Sequence, residues 1–207
     1  MRARTDNMTI LHLDSSPRGE RSHSRQLTKA FVDDYRSAHP DAKVIYHDLG
    51  HSPVPHVDEP WIAAAYSDPA THTPELKAAI RLSDQLVDEL LSADVIVIGA
   101  PMYNFSIPST LKAYIDQVVR VNRTFTPSYE GLATGKKMFI LCARGGGGYG
   151  SGEQMEAANF QDPYFKAIFG FIGISDITFV HDEKTLSGGS ELEASLQKTH
   201  AAAQQLG

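Results

Sequence analysis

The feature that most constrains this chain is a regular alternation of short apolar segments with longer amphipathic ones. Apolar residues spaced by three and four mark the longer segments as helices, and the β-rich runs between them indicate strands. The predicted strands are residues 8–13, 43–48, 95–98, 137–143 and 174–180. The predicted helices are residues 22–38, a long one that starts at Thr73 and Pro74, and residues 109–121, 164–171 and 190–206.

This alternation predicts parallel strands joined by right-handed crossovers, with helices on both faces of the sheet. Residues 95–98 are apolar at every position, as expected of a strand that is covered on both sides. Five strands in one domain of residues 1–207 favour a doubly wound α/β sheet of order 2-1-3-4-5. The proline-rich residues 49–60 are predicted to form a surface loop.

Composition excludes several classes of protein. Cys142 is the only cysteine, so neither an internal disulfide nor a cluster of thiolate metal ligands can form, and we expect a reducing, cytoplasmic setting. The formal net charge of −6 argues against a nucleic-acid partner. No segment approaches the roughly 18 apolar residues that a membrane span needs, and no signal-peptide pattern follows MRARTDN, so we expect no membrane partner.

In the predicted strand order, a ligand crevice lies outside the carboxyl ends of the first and third strands. The loop after the first strand, residues 14–24, is rich in serine and leads into a helix N-terminus, where backbone N–H groups and the helix dipole favour phosphate. It matches neither the Walker loop nor the dinucleotide fingerprint. A purely structural alternative is that Ser22 only caps the helix.

Two further loops reach the same edge of the sheet. Residues 100–108 place two aromatic side chains and an amide directly after the apolar third strand, which suits a flat conjugated ring. Residues 143–150 follow the fourth strand and contain four consecutive glycines, which let a ligand approach the backbone closely. Alternatively, the aromatics pack in the core and the glycines only provide flexibility.

At these residues the chain resembles the FMN-dependent NADH-azoreductases, also called NADH:quinone oxidoreductases, of the flavodoxin-like superfamily. The most specific segment is APMYNFSIPSTLKAYIDQVVR at 100–120, supported by EGLATGKK at 130–137 and GFIGISDITFV at 170–180. The residues that the resemblance implies at FMN are Ser16, Ser22, His23 and Ser24 at the phosphate, Pro101, Met102, Tyr103, Asn104 and Phe105 at the isoalloxazine ring, and Ala143, Arg144, Gly145 and Gly146 at its polar edge. Relatives often have serine where this chain has Ala143, so one hydroxyl contact is lost or replaced by backbone.

The resemblance also implies an activity. NADH delivers a hydride to FMN and leaves, and a quinone or azo compound then takes the electrons at the same face, in a ping-pong course. FMN carries the chemistry, so no catalytic side chain is expected, and Asn104 is expected near the nitrogen that accepts the hydride. Family members are homodimers, which we carry over as an expectation. The choice between NADH and NADPH stays open.

Two other functions fit parts of the pattern. A flavodoxin-type electron carrier would use the same fold and cofactor without reducing small molecules. A small phosphatase would need a cysteine nucleophile in the first loop. That loop holds Ser15 and Ser16, whereas Cys142 ends the fourth strand. No histidine pattern on a helix indicates a metal site.

Overall fold

The computed structural model describes residues 8–186 and 191–206. Five strands form one sheet in the order β2-β1-β3-β4-β5, and every neighbouring pair is parallel. This confirms the predicted fold class and strand order. The strands are β1 Thr9–Asp14, β2 Lys43–Asp48, β3 Val95–Pro101, β4 Lys137–Ala143 and β5 Asp176–Asp182.

Six α-helices cover the sheet. They are α1 His23–Ala38, α2 Glu59–Ala65, α3 Pro74–Ser92, α4 Ser109–Val118, α5 Gln161–Phe171 and α6 Leu192–Gln204. Side chains of α1 and α6 form the core on one face, and those of α3, α4 and α5 form the core on the other. The central strand β3 is buried at all its positions because helices cover both of its faces.

Most predicted elements are confirmed, and the differences lie at their ends. The last strand is Asp176–Asp182 rather than 174–180, because Ile174 packs in the core before the pairing with β4 begins. The third strand continues to Pro101, and α4 ends at Val118. The predicted start of the closing helix at Ser190 lies outside the described residues.

One helix was missed inside the proline-rich connection. Asp58 caps α2 by accepting a hydrogen bond from the Trp61 N–H, and Pro60 lies in the first turn. The Trp61 indole N–H donates to Gln117 Oε1 at 2.8 Å, which attaches this short helix to α4. In the described part of the chain, no helix is long and apolar enough to cross a membrane.

Candidate functional site

The loops that follow β1, β3 and β4 meet at the carboxyl edge of the sheet. They line a cleft of about 160 Å³, called the crevice below. The predicted site residues that line it are Ser16, Ser22, His23, Pro101, Met102, Tyr103, Ala143 and Gly145. The three loops singled out in the sequence therefore share one site, at the place where doubly wound sheets bind ligands.

The crevice also contains three residues that sequence reasoning missed. Arg18 belongs to the first loop, and Thr185 and Leu186 follow β5. The β4–β5 register places Asp182 beside Ala143, so the chain after β5 reaches the same edge as residues 143–150, called the glycine-rich loop below. The predicted strand order could have indicated that the chain after β5 contributes to the crevice, because the carboxyl ends of neighbouring parallel strands lie at the same edge of the sheet.

Ser22 caps α1 and also lines the crevice. Its Oγ accepts a hydrogen bond from the Arg25 N–H at 3.4 Å and lies 3.1 Å from Ser24 Oγ. Ser24 is fully buried behind it and is not among the crevice-lining residues. One hydroxyl proton is used in the bond between the two serines, which leaves the second for another acceptor. The capping role and a phosphate-binding role are therefore compatible.

His23 is the first residue of α1, and its side chain contacts the last residue of β5. Its Nδ1 lies 2.5 Å from Asp182 Oδ2, at the end of β5. The Asp182 side chain is fully buried, whereas that of His23 is 22 % exposed. This pair connects the helix N-terminus to the far side of the crevice.

The loop after β3 forms a tight hairpin. Tyr103 N–H donates to the Ser106 carbonyl and Ser106 N–H donates to the Tyr103 carbonyl, both at 3.0 Å. Between them, Asn104 and Phe105 have positive φ angles of 49° and 67°. Two-residue hairpins of this kind favour Asn and Gly, so a phenylalanine in the left-handed region is strained. Tyr103 and Phe105 remain 38 % and 45 % exposed, which excludes the alternative that both join the core.

The side chain of Arg144 turns away from the crevice into a buried polar cluster. Its guanidinium donates to Gln161 Oε1 at 3.2 Å, Asp162 Oδ1 at 2.6 Å and Glu183 Oε1 at 3.2 Å. It also lies 5.4 Å from the centre of the Tyr149 ring. Arg144 therefore anchors the glycine-rich loop from below, while Ala143 and Gly145 face the crevice on either side of it.

Gly145 packs directly against Leu186. A Cβ at position 145 would lie 2.6 Å from Leu186 Cδ1, so the absence of a side chain lets Leu186 close over this loop. Gly146 is not among the crevice-lining residues, and its carbonyl accepts a hydrogen bond from the Lys184 N–H at 2.9 Å. The missing side chain at Gly145 and the carbonyl of Gly146 thus hold the segment after β5 against this loop.

Cys142, Asp162 and His181 bring possible ligand atoms within 4.8 Å of one another. Burial raises the pKa of the Cys142 thiol far above its usual range, which disfavours the thiolate. Burial by itself also raises the pKa of Asp162, but His181, Asn159 and Arg144 outweigh burial and hold that pKa well below its usual range. The cluster is thus an arrangement of hydrogen bonds and charges centred on Asp162.

A larger cavity, of about 740 Å³, lies elsewhere in the molecule. It runs between α1 and β2 and includes His12, Arg25 and Tyr46, but none of the residues that line the crevice. Several of its charged groups pair with one another: Arg25 bonds to Asp48 and lies 3.6 Å from Asp14. Size alone therefore does not identify the functional site, and the convergence of loops does.

Comparison with known proteins identifies the family of this chain. Residues 8–206 match a family described as having a flavodoxin-like fold. An FMN-dependent NADH:quinone oxidoreductase of Nostoc punctiforme is 56% identical over 200 residues, which cover 95% of this chain and 97% of the relative. This chain belongs to the FMN-dependent NADH:quinone oxidoreductase family. The family therefore agrees with the resemblance seen in the sequence.

Other relatives show how far the family likeness extends. An FMN-dependent NAD(P)H:quinone oxidoreductase of Pseudomonas aeruginosa is 45% identical, over 90% of this chain and 92% of the relative. Among solved structures, an FMN-dependent NADH-azoreductase of Bacillus anthracis in complex with FMN has a TM-score of 0.85 and 25% identity, covering 96% of this chain and 99% of that one. These relatives are enzymes by name, which disfavours the electron-carrier alternative.

Proposed function

We propose that this chain binds FMN in the crevice and transfers electrons from NADH to quinones and azo compounds. The observation that carries the proposal is the meeting of three loops at one crevice, in a member of this oxidoreductase family. When bound, FMN takes a hydride from NADH and passes electrons to the acceptor. The protein contributes position, electrostatics and a surface for stacking.

The first loop and the N-terminus of α1 suit the phosphate of FMN. Ser16, Ser22 and His23 line the crevice there, and Ser24 supports Ser22 through its hydroxyl. Hydroxyl groups, backbone N–H groups and the positive end of a helix dipole form a donor set that fits a phosphate. Arg18 adds a positive charge at the same end.

The hairpin and the glycine-rich loop suit the ring of FMN. Pro101, Met102 and Tyr103 provide an apolar wall, and Asn104 and Phe105 form the strained turn above it. Beyond Tyr103 lies a second cleft of about 550 Å³, which includes Asn104 and Tyr164 and offers space for a flat donor or acceptor. The residues proposed at the polar edge of the ring are Ala143, Arg144, Gly145 and Gly146, with Arg144 acting through its backbone and as the anchor of the loop.

One stacking surface serves donor and acceptor in turn, so we propose a ping-pong course. The purified protein should show flavin absorption bands, and the released cofactor should be FMN. These bands should bleach when NADH is added without acceptor. Initial rates at several fixed quinone concentrations should give parallel double-reciprocal lines. Intersecting lines would mean that both substrates bind together, and a flavin that stays oxidised under NADH would favour the electron carrier.

A second copy of the chain is proposed to cover the exposed aromatic surface beside the crevice. Phe105 and Phe160 are 45 % and 60 % exposed, and the Phe160 N–H donates to the Phe105 carbonyl at 3.2 Å, so the two residues are adjacent. Adjacent exposed aromatics of this kind are typical of interfaces. Sedimentation should give the mass of a homodimer. The cytoplasmic location stays an expectation from the single cysteine.

A further inference from the structure

The second cleft, beyond Tyr103, has a lining whose charge is opposite to that of the whole chain. Among the described residues that line it, Lys112 is the only charged one and none is acidic, although the chain carries a net charge of −6. Apart from Lys112 and the apolar Ile107, the lining side chains carry hydroxyl groups or an amide, all of which can donate hydrogen bonds. The cleft therefore suits a ligand that carries a negative charge.

The ammonium group of Lys112 is held only weakly by its present partner. Lys112 Nζ donates to Asp116 Oδ1 at 2.5 Å, one turn further along α4, and the two side chains are 49 % and 35 % exposed. An exposed pair of this kind contributes little, because water screens it and because ordering two long side chains costs entropy. Asp116 does not line the cleft. A ligand anion in the cleft can therefore share Lys112 with Asp116 or replace it.

Tyr164 offers a second donor in the same cleft. Its ring packs beside Phe165 against the core, and within the described residues its hydroxyl makes no hydrogen bond. Burial and the Asp116 carboxylate raise the pKa of Tyr164 to about 12, so the hydroxyl keeps its proton at neutral pH and can donate to an anion. Because Asp116 acts on both Tyr164 and Lys112, the hydroxyl and the ammonium group lie at the same end of the cleft.

We infer that Lys112 and Tyr164 bind an anionic substituent, a sulfonate or a carboxylate, on an aromatic electron acceptor. The aromatic part of the acceptor lies at Tyr103, which lines both the crevice and the second cleft, and the anion reaches Lys112. This inference rests on the proposed function, because it assumes that acceptors are reduced beside Tyr103. It predicts a preference for anionic acceptors over uncharged acceptors of the same shape.

The experiment measures the binding of two redox-inert aromatic ligands to the purified, FMN-loaded protein by isothermal titration calorimetry. Naphthalenesulfonate carries the anion, and the corresponding naphthalenesulfonamide has nearly the same shape without the charge. The sulfonate should bind about fivefold to tenfold more tightly, which is the size expected of one partly exposed charge-assisted contact. Raising the salt concentration to about 1 M, where the Debye length is about 3 Å, should remove most of this preference.

Three variants test the two donors separately. Lys112→Met removes the charge but keeps a long side chain, and should abolish the preference for the sulfonate, whereas Lys112→Arg keeps the charge and should retain it. Tyr164→Phe keeps the ring and should lower the affinity for the sulfonate by about threefold. In steady-state kinetics, Lys112→Met should raise KM for a sulfonated naphthoquinone without lowering kcat, because the anion contacts Lys112 equally in the ground state and the transition state.

Lys29→Met is the matched control. Lys29 pairs with Asp33 four residues further along α1, as Lys112 pairs with Asp116 on α4, but it does not line the second cleft. Its preference for the sulfonate should match that of the unmodified protein. An unmodified protein that binds both ligands equally, or neither, overturns the inference, as does a Lys112→Met variant that keeps the preference. Failure of the purified protein to hold FMN, or of NADH to reduce it, would instead refute the proposed function.

Discussion

Replacing Gly50 with alanine should disturb the first crevice loop from outside the crevice. A Cβ at this position would lie 2.2 Å from the Ser16 carbonyl oxygen and 2.5 Å from the Ser16 carbonyl carbon. Ordinary contacts are about 3.5 Å, so one of the two backbone segments must move by about 1 Å. Gly50 does not have a positive φ, so alanine brings no conformational penalty and the cost is steric.

The magnitude follows from what the new methyl group meets. Overpacking of a well-packed site costs about 1–3 kcal/mol, and backbone atoms cannot rotate away as the end of a side chain can. We expect Gly50→Ala to lose about 3 kcal/mol of unfolding free energy in urea, monitored by circular dichroism. Because Ser16 lines the crevice, FMN affinity should also fall by about tenfold, equivalent to about 1.4 kcal/mol.

Gly170→Ala provides the control for this prediction. Gly170 lies inside α5, and a Cβ there has open space within 4 Å. Alanine should therefore stabilise the helix by about 0.5–1 kcal/mol and leave FMN binding unchanged. If Gly50→Ala unfolds at the same urea concentration as the unmodified protein and binds FMN equally well, the close contact between Gly50 and Ser16 does not exist.

Three further predictions follow from the contacts of single side chains. Arg144→Met should cost about 3 kcal/mol of unfolding free energy in urea, because it removes a buried cation that bonds the partly buried carboxylates of Asp162 and Glu183; a loss below about 1 kcal/mol would mean that the cluster is solvated. Burial raises the pKa of Asp48, but hydrogen bonds from Arg25 and a neighbouring histidine outweigh it and lower the pKa to about 2. The stability difference between the unmodified protein and Asp48→Asn should thus be constant above pH 5 and vanish as the pH falls from about 4 to about 2, whereas a pH-independent difference would contradict the ion pair. Replacing Ser22 and Ser24 together with alanine should weaken FMN binding by about 1–3 kcal/mol, measured by titration of the folded apoprotein; an unchanged affinity would remove the phosphate from this loop.

The order of elements could be read from the sequence because each element carries a local pattern. Residues 43–48 and 137–143 were predicted with the bounds of β2 and β4, and Thr73 caps α3 as expected. The parallel sheet and its strand order followed, because alternating strands and helices leave few arrangements of the chain. The same reasoning located the three loops that meet at the crevice.

The ends of elements and the short helices were harder to predict from the sequence, because they depend on tertiary packing. Ile174 belongs to an apolar run that resembles the start of a strand, but the ladder between β4 and β5 begins two residues later. The only sequence signals for the short helix α2 were the capping residue Asp58 and the proline at position 60, inside a segment dominated by loop-forming residues. Its attachment to Gln117 is a contact across 56 residues of sequence.

By itself, the sequence determined the sheet, the loops at its carboxyl edge and the resemblance to a flavin-dependent family. Only the tertiary structure decided which side chains of those loops face the crevice. Arg144 turns inward toward the partly buried carboxylates of Asp162 and Glu183, and His23 meets Asp182 across 159 residues of sequence. Such pairings have no local signal, since they depend on strand register and on which groups burial leaves in need of a partner.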